Sequence, residues 1–327
     1  MTADFADVGA AYRKHRLRVM LAITLGYGFI YTCRLGLNIV KKPLIDNGIF
    51  TVDELGVIGA ALYYGYAAGK LVNGFAADHF RPRVFFSVNI LVSALLNLVM
   101  GWSSLLWLSI TIWILNGWFQ GMAAHAAVIS ITNWFSISER GRSYGIWSSS
   151  HAIGEGLTYY GIAAVVAAWG WQYGFITPGI LCIGVAAWAY AFLRDAPKTM
   201  GLPDVHEFHG EEPEPPKEQK IWATQKMIFG IRAIWVVAVA SSLMYMTRYG
   251  INSWGILYLQ EIRGYTLGQA GTLMGIYGGA GIVGSIAYGY LSDKVFDARR
   301  PPPTLSLPLS RFSHSCSFST GRRTIFR

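Results

Sequence analysis

Two stretches of the chain, YTCRLGLN at residues 31–38 and YMTRYGIN at residues 245–252, spell one pattern, Tyr-x-x-Arg-x-Gly-x-Asn, inside long apolar runs 214 residues apart. An arginine at the centre of a membrane helix costs roughly 2.5–3.5 kcal/mol on insertion scales, so one kept there usually faces a polar interior and carries function. Its planar guanidinium donates paired, charge-assisted hydrogen bonds to the oxygens of an anion and stays charged at any physiological pH. Companions at helical spacing extend the pattern. Tyr27, Tyr31, Arg34 and Asn38 are spaced by four, three and four residues, which places them on one stripe of a helix. Tyr66 with Lys70, His151 with Glu155, and Tyr245 with Arg248 and Asn252 obey the same rule. Polar stripes in a bilayer turn inward, so arginines from two equivalent helices can converge on one anion.

The elements that carry these stripes are membrane spans. Apolar residues make up 53% of the 327-residue chain and charged residues 14%, and runs near the spanning length of about 20 residues occur at 20–40, 55–77, 84–102, 105–130, 143–168, 171–193, 233–258 and 268–292. A soluble helical protein would need longer polar loops and more charge within the runs. The N-terminus is polar as far as Arg18 and the first run has full spanning length, so it reads as a retained helix rather than a cleaved signal. Basic residues alternate in location: Arg13, Lys14, Arg16, Arg18, Arg81, Arg83, Arg140, Arg142 and those between 194 and 232 fall on one side, and only Lys41, Lys42 and Arg263 on the other. The excess of Lys and Arg on cytoplasmic loops then sets the N-terminus inside. It also accounts for most of the net charge of +9, leaving no need for a nucleic-acid partner. Cys33, Cys182 and Cys316 are too scattered for a disulfide framework or a zinc site. The GAGIVG stretch at 279–284 fits a dinucleotide fingerprint but lies inside an apolar run with no strand before it. With no nucleophile elbow, phosphate-binding loop or metal cluster, the chain is expected to be no enzyme and to use no cofactor or metal.

A second feature repeats at nearly the same offset. GFAADHFRPR (74–83) and GYLSDKVFDARR (289–300) each carry a glycine, an aspartate four residues on, and then basic residues; Asp78 and Asp293 are 215 apart. Residues from about 233 therefore begin a parallel copy of the unit that starts near residue 17. The expected organisation is a cytoplasmic N-terminus (1–19), a six-helix bundle (20–193), a flexible cytoplasmic linker containing HGEEPEPPKEQK (194–232), a partial second bundle of two helices (233–300) and a tail (301–327). The tail, PPPTLSLPLSRFSHSCSFSTGRRTIFR, has no run long enough to span. It reads either as a basic tail or, the preferred expectation, as out-of-frame translation replacing four further helices, which would leave the chain as written inactive.

The parallel repeat, the central linker and the Gly-x-x-x-Asp-basic loop resemble the major facilitator superfamily. The stretches FQGMAAHAA (119–127), NWFSISERGRSYGIWSSSHAIGEG (133–156), RDAPKTMGLP (194–203) and RYGINSWGILYL (248–259) are similar to its organophosphate:phosphate antiporters. The resemblance implies an all-α polytopic fold, a bacterial inner-membrane location, and alternating access that exchanges a hexose phosphate or glycerol 3-phosphate for inorganic phosphate. It implies that Arg34 and Arg248 bind the phosphate, with Lys70 and His151 nearby and Tyr27, Tyr31, Tyr66 and Tyr245 around the cavity. Asp78, Arg81 and Asp293 would belong to a cytoplasmic gate. Glu155 departs from the family pattern; it is expected to neutralise Lys70 or to titrate with His151. Blander roles stand beside these: a structural ion pair for an arginine or Lys70, a bond between helices for His151, plain packing for the tyrosines. Gly65 with Gly69, and Gly275 with Gly279, match a close-packing pattern. The family also holds a sensor branch, similar in NSWGILYL and SDKVF, which implies a second possibility: a receptor for external hexose phosphate that signals to a kinase.

Overall fold

The computed structural model describes residues 5–77, 79–211 and 227–295, with the side chains of 5–7, 282 and 285–295 excepted. Asp78, the side chain of Asp293, the middle of the linker and the tail 301–327 lie outside the described residues. The chain divides into one compact unit, residues 1–276, and a second, 277–327. The first holds α1 (Phe5–Asp46), α2 (Val52–Ala77), α3 (Pro82–Met100), α4 (Leu106–Trp134), α5 (Ile137–Ser148), α6 (Ser150–Gly156), α7 (Ala163–Trp169), α8 (Tyr173–Phe192), α9 (Val205–His209), α10 (Arg232–Glu261) and the opening turns of α11 (Leu267–Val295). The described part of the second unit is the continuation of α11 from Tyr277. Every described regular element is helical.

All eight expected runs are helical, but they differ in kind. Five helices, α1, α2, α3, α8 and α10, are long and apolar enough to cross a membrane among the described residues. α4 is as long as a span but carries Asn116, Gln120 and His125. The fifth run is broken into α5, α6, a π-helical turn at Leu157–Ile162 and α7.

Local signals repeat between the halves. Thr51 and Glu54 cap the start of α2 reciprocally: the Glu54 carboxylate accepts from the Thr51 amide at 2.7 Å, and the Thr51 hydroxyl accepts from the Glu54 amide at 3.3 Å. Thr266 and Gln269 do the same for α11, at 3.0 and 3.3 Å. Before each box the chain turns through a glycine in the left-handed region, Gly48 at φ 64° and Gly264 at φ 69°. The duplication read from arginines and aspartates thus extends to turn chemistry.

Helix contacts depend on missing side chains. A Cβ on Gly65 would lie 2.1 Å from the Ile114 carbonyl, and one on Gly69 2.3 Å from that of Trp118; Gly117 and Gly121 return the approach from α4. α2 and α4 therefore pack backbone to backbone. Gly275 is different, with its nearest neighbour at 3.9 Å, so the second small-residue pair does not make a close approach there. Buried apolar residues form two clusters. Along α1 the first runs as far as Cys33 and the second begins at Leu35, so Arg34 lies at the waist between two dry cores.

The expectation of a flexible linker is corrected over 194–211. Here Asn133 and Trp134 donate to the carbonyls of Asp195 and Arg194, both at 2.9 Å. Val205 is buried, Phe208 stacks on Tyr12 at 4.2 Å, and the Tyr12 hydroxyl donates to the Pro203 carbonyl. The apolar residues of GLPDVHEF dock the segment, a contribution that its Pro, Gly and charges concealed. The expected polar N-terminus is likewise helical from Phe5 and supplies Tyr12 to this contact.

Candidate functional site

Arg34 is placed by the backbone before it. The Cys33 carbonyl accepts from Asn97 at 2.9 Å and from Asn116 at 3.1 Å, and Asn116 is joined to Ser93 and Gln120 in one buried network. Buried hydrogen bonds of this kind are strengthened by the low-dielectric interior and hold their members in place. The residue after Cys33 is thereby fixed in height and rotation. Its guanidinium lies 4.4 Å from the Tyr66 ring centre, with Tyr63, Tyr31 and Tyr249 at 5.6, 5.7 and 5.7 Å. Attraction to an aromatic face is worth about 0.5–2 kcal/mol within about 6 Å, so Tyr66 contributes most and the others stand at the edge of the range. The arginine is 6% exposed, and its Nη2 has no hydrogen-bond partner. Among the described residues no carboxylate pairs with it.

Arg248 approaches from α10. Its Nη2 donates to Glu155 at 2.7 Å, and Asn252, one turn on, donates to the same carboxylate oxygen at 3.0 Å. Glu155 reaches this point because α6 lies tight on α1: a Cβ on Gly154 would meet the Gly28 carbonyl at 2.4 Å and Tyr31 Cβ at 2.5 Å. The π turn follows at once, a distortion frequent at functional sites, and within it the Tyr159 hydroxyl donates to the Asn252 carbonyl at 3.1 Å. α6, the π turn and α10 thus close one face of the site.

The structure brings most of the expected residues together. His151 packs its ring against Tyr27 and Tyr31, both at 5.2 Å, with Nδ1 3.0 Å from the Ser148 carbonyl. The charges of Arg248, Glu155 and Arg34 all act on it. Tyr27 is buried against Trp147, and Asn38 is buried one turn beyond Arg34. Lys70 is exposed one turn from Tyr66, its ammonium 5.7 Å from that ring. Arg81 is the N-cap of α3, exposed. Tyr245 is 44% exposed and stacks on Tyr249 at 5.4 Å; Tyr249 is the residue that reaches Arg34.

One expectation is corrected. Glu155 pairs with Arg248 and Asn252 rather than with Lys70, and its charge also acts on His151. A buried carboxylate takes the cation nearest to it, and that cation comes from the other half of the chain. The sequence reading also missed Tyr63, Tyr249, Tyr159 and the Asn97–Asn116 network. Tyr63 sits three residues before Tyr66, and Tyr249 four after Tyr245; both spacings would have flagged them.

A family model described as Major Facilitator Superfamily matches residues 21–310. The chain belongs to this superfamily. Within it, the chain is 30% identical to the membrane sensor protein UhpC of Salmonella typhimurium over 93% of its own length and 70% of that protein's. It is 31% identical to a probable hexose phosphate transport protein of Chlamydia trachomatis, over 89% of this chain and 67% of that one. A glycerol-3-phosphate transporter of Bacillus subtilis is 32% identical, over 91% and 70%. Among solved structures, an inward-facing, unoccupied bacterial homologue of the human lysosomal transporter Spinster aligns with a TM-score of 0.71 at 16% identity, covering 87% of this chain and 64% of the other. That likeness shows the all-helical facilitator fold, and the chain is a multi-pass membrane protein.

Proposed function

We propose that the chain belongs to a carrier that exchanges an organic phosphate, a hexose phosphate or glycerol 3-phosphate, for inorganic phosphate across a bacterial inner membrane, with its N-terminus in the cytoplasm. The observation that carries this reading is that Arg34 and Arg248 share Tyr31 and Tyr249 as neighbours, with Arg34 Nη2 buried and unpartnered. A buried charged donor without a partner is costly unless a ligand completes it. Arg34, Arg248 and Lys70 set three positive charges against the one negative charge of Glu155, a surplus that a phosphate monoester with about two negative charges at pH 7 would neutralise. Asn252 Oδ1 is also buried without a partner and would accept from a hydroxyl on the organic part. Tyr31, Tyr66, His151 and Asn38 complete the wall, with Tyr27 and Tyr245 behind it. In this reading Asp78, Arg81 and Asp293 serve the cytoplasmic gate, and the two halves rock about the arginines.

Counterflow tests the proposal. Liposomes loaded with unlabelled phosphate and containing a version of the protein with a complete second bundle should accumulate labelled phosphate, and external glycerol 3-phosphate or a hexose phosphate should compete; Arg34→Lys should abolish the uptake. Wild-type turnover in that variant would count against the site. A second reading, a sensor that signals to a kinase, is favoured by the likeness to UhpC. It predicts binding of a hexose phosphate with no flux in the same liposomes.

A further inference from the structure

The two copies of Tyr-x-x-Arg-x-Gly-x-Asn are an internal control. In one, Arg34 keeps an unpartnered Nη2; in the other, Arg248 and Asn252 both donate to Glu155 Oε1, at 2.7 and 3.0 Å. Glu155 is itself 3% exposed. A carboxylate presents two coplanar oxygens to a guanidinium much as a phosphate does, with half the charge. The pair joins the halves: α6 supplies the carboxylate and α10 the donors, while Gly154 fixes α6 against α1. Arg248 Nη2 thus already has an anionic partner, whereas Arg34 Nη2 has none.

We propose that Glu155 is a built-in anion occupying the Arg248 half of the site, so that phosphate binds first at Arg34 and completes its binding by displacing this carboxylate. This rests on the anion-binding reading above and adds to it the residue that sets affinity and couples occupancy to the contact between halves. The empty protein keeps α6 tied to α10 through a neutral pair. The loaded protein exchanges that tie for one through the ligand, and release of phosphate restores it. Reorientation of the empty carrier would still leave Arg34 uncompensated, so exchange of one anion for another remains the favoured mode.

The test measures binding of inorganic phosphate and of glycerol 3-phosphate to the full chain in lipid nanodiscs, for wild type and Glu155→Gln. An internal competitor predicts that Glu155→Gln binds inorganic phosphate at least about tenfold tighter, the factor given by the smallest coupling typical of close charge pairs, and glycerol 3-phosphate tighter by a similar factor. Unchanged or weaker phosphate binding by a folded Glu155→Gln chain overturns the proposal, because the carboxylate then only clamps Arg248. Weakening confined to glycerol 3-phosphate overturns it too, since Glu155 would then be a hydroxyl ligand. Where Glu155→Gln fails to fold, Glu155→Asp decides: retracting the charge by one methylene should tighten phosphate binding by a smaller factor, and equal or weaker binding overturns the proposal. Absence of binding of either compound by wild type defeats the anion-site reading, and this proposal falls with it.

Discussion

Arg34 and Arg248 hold the same place in two copies of one motif, and the protein treats them differently. Arg34 is wrapped by tyrosine rings between two apolar cores, its backbone pinned through Cys33, and no charge answers it among the described residues. Arg248 is partly open, 39% exposed at its side chain, and has a carboxylate of its own. The difference teaches that a duplicated motif copies the cation but not its surroundings. Aromatic faces stabilise a guanidinium largely through the ring, which leaves Arg34 Nη2 without a partner, whereas Arg248 Nη2 is taken by the Glu155 carboxylate.

That contrast can be broken by experiment. The largest effect is expected at Arg34: in Arg34→Lys the fork is lost where nothing else answers the anion, and phosphate affinity should fall roughly a hundredfold, as for the loss of a charge-assisted hydrogen-bond pair. Arg248→Lys removes a fork that already shares itself with Glu155, and titration calorimetry should find a fall of about tenfold. Equal losses in the two variants would erase the distinction. Next come the rings. Tyr66→Leu withdraws the nearest face, and the melting profile should report about 1–2 kcal/mol of lost stability, whereas Tyr245→Leu should lie within about 0.5 kcal/mol of wild type.

The smallest effect is expected at an arginine–carboxylate pair outside the site. Arg16 donates to Glu139, which also closes a capping box with Ser136 at the start of α5. Burial pushes the Glu139 carboxyl up, but hydrogen bonds from Arg16 and Ser136 outweigh it and hold the group below its ordinary value of 4.5. A lowered carboxylate value contributes stability that is present above the unfolded value and fades as pH falls through the folded one. Glu139→Gln should therefore cost no more than about 1 kcal/mol at neutral pH, since the pair is partly exposed. The gap between variant and wild type should close on acidification below about pH 4, and phosphate binding at neutral pH should not change.

How much was legible in the letters follows from which contacts are local. Helical stripes depend on spacing along one strand of text, so Tyr27, Tyr31, Arg34 and Asn38, or Arg248 and Asn252, could be placed together without coordinates. The repeat was legible for a similar reason, and Thr51 with Glu54 against Thr266 with Gln269 shows that it could have been read further. The docked segment 194–211 was not: Phe208 gains its meaning from Tyr12, almost two hundred residues away.

Hydrophobicity, helical period and the recurrence of short motifs determined that this is a helical membrane protein built from a repeated unit, because each of these acts within a segment. Only the tertiary structure decided which charges meet. Glu155 is four residues from His151 and faces Lys70 in no order that the sequence can show; its partner, Arg248, is ninety-three residues away on a helix of the other half. Electrostatic pairing in a dry interior follows distance through space, and packing at Gly28 and Gly154 set that distance.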